Sequence, residues 1–129
     1  MDIVSALFTE RIDLRPAPGP STRIDLTGVM FSMAAPSEPP VTVTPHLVVL
    51  VRCRPDEPGE GILEVTFTDE DGAQVARNVS PFNVEPGKFT YRLVRGELEF
   101  TKLGTVEASC RLMPDGPPLV VPLTLLPPA

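Results

Sequence analysis

Apolar and polar residues alternate along most of this chain, and the three-and-four spacing of a long amphipathic helix is missing. The pattern is plainest at 61–68, "GILEVTFT", where Leu63, Val65 and Phe67 fall on one face and Glu64, Thr66 and Thr68 on the other. Pro, Gly, Asn and Asp bound such segments. Together they predict strands near 2–14, 22–33, 43–53, 61–68, 73–79, 87–95, 97–101, 104–113 and 118–126. A short helix competes only at 3–10, where Ile3, Ala6, Leu7 and Glu10 have helical spacing; the strand is the preferred reading. Eight or nine short antiparallel strands with no helix to cover a sheet predict one all-β domain over 1–129. The expected architecture is a two-sheet β-sandwich of immunoglobulin-like type.

Turn chemistry supplies the connections. Asp71-Gly72 suits a tight hairpin between 61–68 and 73–79. "PDGP" joins "TVEASCRLM" to "PLVVPLTLL", with Val106, Ala108, Cys110 and Leu112 inward and Glu107, Ser109 and Arg111 outward. The tetrapeptide "RIDL" occurs at 11–14 and again at 23–26, on either side of a Pro-rich loop, which suggests a third hairpin. Arg11 opposite Asp25 and Asp13 opposite Arg23 would pair charges across it while Ile12 and Ile24 share the other face. Past Gly28 the apolar positions switch from Ile24 and Leu26 to Val29, Phe31 and Met33, so a bulge is expected at Gly28.

Composition narrows the function classes. Seventeen prolines and no tryptophan punctuate the chain into short elements, while 42% hydrophobic and 22% charged residues are ordinary for a globular domain. A net charge of −6, with 11 basic residues scattered among 17 acids, argues against nucleic acid as a partner. No run approaches the roughly 20 apolar residues that span a bilayer, and the N-terminus carries Asp2 where a signal peptide needs base. A cytoplasmic protein with no membrane partner and two reduced cysteines is therefore expected.

The order of "LTGVMFSM", "PHLVVLVRCRPDEPGEGILEVTFTDEDGAQV" and "LGTVEASCRLMPDGPPLVVPLTLLPP" resembles small bacterial domains of unknown function with an immunoglobulin-like sandwich. The resemblance implies that fold and transfers no activity, since the group has none assigned, and no functional residue.

Candidate chemistry is sparse. Cys53 and Cys110 both fall on inward faces, as the bridged pair of an immunoglobulin domain does, but no Trp exists to pack on a bridge. Two buried, inert thiols are the expectation. His46 is the single histidine. Seven strand residues put it roughly 23 Å from Cys53 and on the opposite face, so those two make no dyad. No catalytic motif, phosphate-cradling loop or zinc spacing appears, and neither enzyme activity nor a cofactor is expected. The acidic clusters Asp56/Glu57/Glu60 and Asp69/Glu70/Asp71 lie at opposite ends of one strand, roughly 25 Å apart, and read as solvated turns.

One feature stands apart. In "PHLVVLVRCRP" Leu47, Val49, Val51 and Cys53 make one face apolar, and Val48 and Leu50 make the other apolar too. "LVVPLTLL" repeats the pattern with Val120, Pro122 and Leu126 outward. Such a face needs internal cover, for instance from the Pro-rich segment 34–44, or a partner. The resulting expectation is a non-catalytic protein-interaction or structural module, binding a protein partner or forming a homo-oligomer, with Val48 and Leu50 as its contacts. A ligand-binding module, with calcium at the acidic loops or a small molecule between the sheets, is the alternative.

Overall fold

The computed structural model describes residues 1–19 and 21–129, which form eleven strands and no helix. They are β1 (Asp2–Pro16), β2 (Thr22–Met30), β3 (Ser32–Ala34), β4 (Val41–Val43), β5 (His46–Arg52), β6 (Glu60–Thr68), β7 (Gln74–Asn83), β8 (Phe89–Arg95), β9 (Leu98–Phe100), β10 (Gly104–Leu112) and β11 (Leu119–Leu126). The all-β expectation holds. The count exceeds eight or nine because 22–33 breaks at Phe31 and a separate short strand forms at 41–43. Nor are all of them short: β1 runs for 15 residues.

Three sheets result. One has the order β2-β1-β5-β8, the second β3-β11-β10-β6-β7, and the third pairs β4 with β9. All neighbours are antiparallel except β3 and β11. Alternation sends Phe8, Leu47, Val49, Val51 and Val94 of the first sheet into a single buried cluster. Leu63, Val65, Phe67, Val106, Ala108 and Leu123 enter it from the second, and Val43, Leu98 and Phe100 from the third. Prolines inside strands sit where no ladder bond is lost. Pro81 lies on β7, a sheet edge, and Pro122 precedes the stretch of β11 that β3 covers.

The predicted hairpins β6–β7 and β10–β11 both form, the first closed at Asp69–Ala73 with a positive φ at Gly72. In the hairpin β1–β2 the register differs from expectation by two residues. Ile12 faces Leu26, Leu14 faces Ile24, Asp13 faces Asp25, and Arg11 faces Thr27. The turn decides this: Ala17 N–H donates to Ser21 O (3.1 Å) and the Ser21 hydroxyl to Pro18 O (2.8 Å), setting Pro16 opposite Thr22. Exposed ion pairs, worth about 1 kcal/mol at most, follow rather than lead. Arg11 bonds Asp13 on its own strand (2.8 Å) and Arg15 reaches Asp25 (2.6 Å).

The expected bulge at Gly28 is also absent. One register holds from Phe8↔Met30 to Pro16↔Thr22, the same on both sides of Gly28, and Met30, in phase with Leu26, packs against the core. Gly28 takes φ +69°, and the Glu10 side chain occupies the space a Cβ would need, 2.5 Å from its Cδ. Val29 and Phe31 are consequently left on the outside. Met33 packs on the core because β3 has crossed to the second sheet.

Candidate functional site

β5 is a strand because a run of β-branched and leucine side chains lies between Pro45 and Pro55, and it occupies the interior of its sheet. Leu47, Val49 and Val51 face the main core. Val48 points the other way and lies outside that cluster, yet it is only 1% exposed. Register explains how. Leu7 of β1 and Leu93 of β8 sit directly beside it, and Leu50 follows two residues along, so larger side chains on the same face surround the smaller valine. Val48 is thus sealed within this chain and offers no atoms to a partner.

Leu50 is half-buried between Ser5 and Tyr91. The open apolar surface lies around it. A register shift between Ile3 and Ser5 lifts Val4 outward to 59% exposure, and Phe89 (59%) and Leu93 (45%) line the same face along β8. Val4, Leu50, Arg52, Gly87, Lys88 and Phe89 enclose a shallow hollow of about 360 Å³ with a mainly apolar lining. Neither Val4 nor Phe89 is legible as a site residue from alternation alone, because each lies at an irregularity: Val4 at the register shift, Phe89 just after a turn.

β11 does not extend this surface. It lies in the other sheet, and its outward Val120 and Pro122 face Ser109 and Glu107 across the pair with β10. The two doubly apolar strands, β5 and β11, therefore share no exterior. The segment 34–44 sends Ala35 and Val43 into the main core, which excludes Val48.

The outer face of the second sheet carries a charged cluster among exposed Ile62, Val79 and Val120. Glu64 of β6, nearly buried, accepts from Arg111 of β10 (2.7 Å) and from Arg77 of β7 (2.6 and 3.0 Å). Arg111 also donates to Pro114 O (2.9 Å). These bonds, Arg111 first and Arg77 second, hold the Glu64 carboxyl below its ordinary range. The cluster ties three strands together, and sequence alone could not supply it because Arg77 and Arg111 are brought in by pairing.

The remaining candidates are accounted for by local bonding. Cys53 and Cys110 are free thiols inside the core, and burial pushes the Cys110 thiol up to about 12. His46 is half-buried on the opposite face of β5, its Nε2 3.4 Å from Arg95 Nη2. Four of the six carboxylates in the two acidic clusters are engaged. Glu57 accepts from Arg54 N–H (2.9 Å) and pairs with the Met1 ammonium, which together lower its pKa. Asp69 accepts from the Asp71 and Ala73 N–H groups, Glu70 from Thr105 N–H, and Asp71 pairs with Lys102. Among the described residues no three His, Cys, Asp or Glu side chains converge as a metal site. The pocket between Asp69, Glu70, Lys102 and Thr105 holds about 30 Å³, room for a water molecule rather than an organic ligand. Among the described residues no helix is long and apolar enough to cross a membrane.

No family model matches the sequence, and no curated protein does either. A solved structure of a family 123 glycoside hydrolase from Clostridium perfringens, described in terms of glycolipid glycan hydrolysis, is similar over 76% of this chain at 11% identity and a TM-score of 0.42. The chain spans 23% of that enzyme's length. A likeness of that size bears on neither fold nor activity here.

Proposed function

We propose that this chain is a non-catalytic protein-interaction or structural module, a two-sheet β-sandwich of immunoglobulin-like type acting in the cytoplasm through a sheet face or edge. Support for the sandwich is the single buried cluster to which both larger sheets contribute their inward residues. The observation that carries the function is the apolar hollow on the outer face of the four-stranded sheet, where Val4, Leu50 and Phe89 come together, with Leu93 and Leu7 alongside, over the sealed Val48. The five-stranded sheet also exposes Ile62, Val79 and Val120, but there they are set among Glu64, Arg77, Arg111 and Glu107. A contiguous apolar exterior on one sheet is the mark of a surface that another protein covers. The contacts expected at sequence level shift accordingly. Leu50 stays at the rim, Val48 becomes the floor, and Phe89, Leu93 and Val4 become the surface. Completing the burial of each half-exposed side chain would contribute about 1 kcal/mol, so several must be covered together to offset the entropy lost on association.

A photo-reactive benzoylphenylalanine placed at 89, 93 or, as a control, at Thr66 on the charged face tests this in cells producing the full chain. A discrete crosslinked product from 89 and 93 and none from 66 is the expected result. Equal, diffuse labelling at all three positions would remove the basis for a binding face. Thermal stability with calcium and with chelator separates the ligand-binding alternative, because a specific ligand of the folded state raises the melting point.

A further inference from the structure

The hairpin β1–β2 continues past the body of its sheet. β5 covers β1 only from Asp2 to Thr9, so residues 10–16 and 22–28 form a two-stranded arm. One face of the arm carries Ile12, Leu14, Ile24 and Leu26, none of which belongs to the main core or packs against it. A two-stranded ribbon of this kind is marginal by itself; a third or fourth strand is what stabilises it. It has two free sides: β1 from Glu10 to Pro16, which ends in a proline, and β2, the edge of the sheet, where Thr22–Met30 contains neither Pro nor Lys to guard it.

The geometry points to a second copy of this chain as the strand that completes the arm: we propose that β2 pairs antiparallel with β2 of another molecule about a two-fold axis at Ile24. This rests on the reading of the chain as an interaction module and names the edge and the occupant. Two independent features fix the register. First, Ala17 and Ser21 share a backbone bond next to the Pro16–Thr22 pair, so ladder alternation turns the backbone groups of Thr22, Ile24 and Leu26 away from β1, toward the open side. Pairing Ile24 with Ile24, and Thr22 with Leu26, uses these groups. Second, that register sets Arg23 of each copy directly opposite Asp25 of the other. Among the described residues Arg23 has no ion-pair partner within the chain, while Asp25 has only Arg15. Shifting the axis by one residue places Arg23 against Arg23 or Asp25 against Asp25, and shifting it by two toward the C-terminus runs the pairing into the positive-φ Gly28. Arg-Ile-Asp is self-complementary in charge only when centred on its isoleucine. The apolar stripes of the two arms then join across the axis into a four-stranded ribbon.

Sedimentation equilibrium on the full chain, from micromolar to near-millimolar concentration, tests the pairing. The wild type is expected to reach twice the mass of one chain. Ile24→Pro removes the outward N–H without costing a β1–β2 ladder bond and is expected to return the mass to one chain with strand content unchanged by circular dichroism. Arg23→Asp and Asp25→Arg are each expected to run as single chains, and their equimolar mixture to recover the doubled mass. That recovery separates a broken pairing from a broken fold. A single mass for the wild type throughout overturns the pairing and leaves the crosslinking at Phe89 to judge the sheet face. A doubled mass that Phe89→Lys abolishes and Ile24→Pro leaves intact also overturns it, while upholding the sheet-face reading.

Discussion

Val48 provides the sharpest test of how the four-stranded sheet is covered. It belongs to the outer layer yet is almost fully buried inside one chain, between Leu7 and Leu93. Val48→Ala removes about two methyl-sized groups, at about 0.8 kcal/mol each, and leaves a small void, for a loss of about 2 kcal/mol. With an unfolding entropy near 2.1 cal/mol/K per residue, a chain of 129 residues loses roughly 7 °C in melting temperature for that change. Phe89→Ser on the same face removes a side chain already more than half in water, and its cost is expected to be under about 1 kcal/mol. Differential scanning calorimetry of the Ile24→Pro background, at two protein concentrations tenfold apart, is the appropriate assay. The expected result is a large, concentration-independent shift for Val48→Ala and a small one for Phe89→Ser. A shift below about 2 °C for Val48→Ala, or one that grows with dilution, would mean that Val48 is sealed by a partner and that neighbours on its own face do not cover it.

Three further outcomes follow from the bonding. Glu64→Gln strips the carboxylate from Arg77 and Arg111 and lowers the melting temperature. Because the Glu64 carboxyl titrates below its ordinary 4.5, its contribution is full above that value in thermal scans and fades as pH falls beneath it, so wild type and variant converge in acid. Neither Cys53 nor Cys110 reacts with a thiol reagent in the native protein, and denaturation without reductant exposes two labels; a single label or none would contradict two free buried thiols. Calcium and chelator leave the melting temperature within about 1 °C of each other, since Glu57, Asp69, Glu70 and Asp71 already hold backbone N–H groups or cations of the chain and no three carboxylates converge among the described residues.

Alternation and turn residues sufficed to read the class of structure, the hairpins at Asp71-Gly72 and "PDGP", and the inward set Leu63, Val65, Phe67, Val106, Ala108 and Cys110, because each depends on residues close in sequence. The failures share a different origin. The charges of "RIDL" suggest one register of β1 on β2, whereas the turn at Ala17–Ser21 sets another. Past Gly28 alternation points to Val29, Phe31 and Met33 as the inward set, and only Met33 is, because a chain that leaves one sheet for another at Phe31 looks locally like a change of face. The candidate site was half legible. The doubly apolar character of β5 was visible, but burial of Val48 depends on Leu7 and Leu93, which lie 41 and 45 residues away along the chain and reach it only through sheet order.

Sheet order also explains why one edge and one face are singled out. Of the four outermost strands of the two larger sheets, β3 has only three residues, β7 carries Pro81, and β8 carries Arg92 and Arg95. Each is a feature that discourages further pairing. β2 carries one arginine and one aspartate, two residues apart, and these put like charges opposite each other when the pairing of two copies shifts its axis by one residue either way. An edge that were merely unprotected would invite indiscriminate association. The charge pattern of β2 instead restricts it to a strand of complementary sequence, and the nearest such strand is its own copy. The apolar exterior of the same sheet starts at Val29, only three residues past Leu26, so a pairing at the arm would leave Val4, Leu50, Phe89 and Leu93 near β8 free for a different protein. Edge and face can then be occupied together, and a variant at one is expected to spare the other.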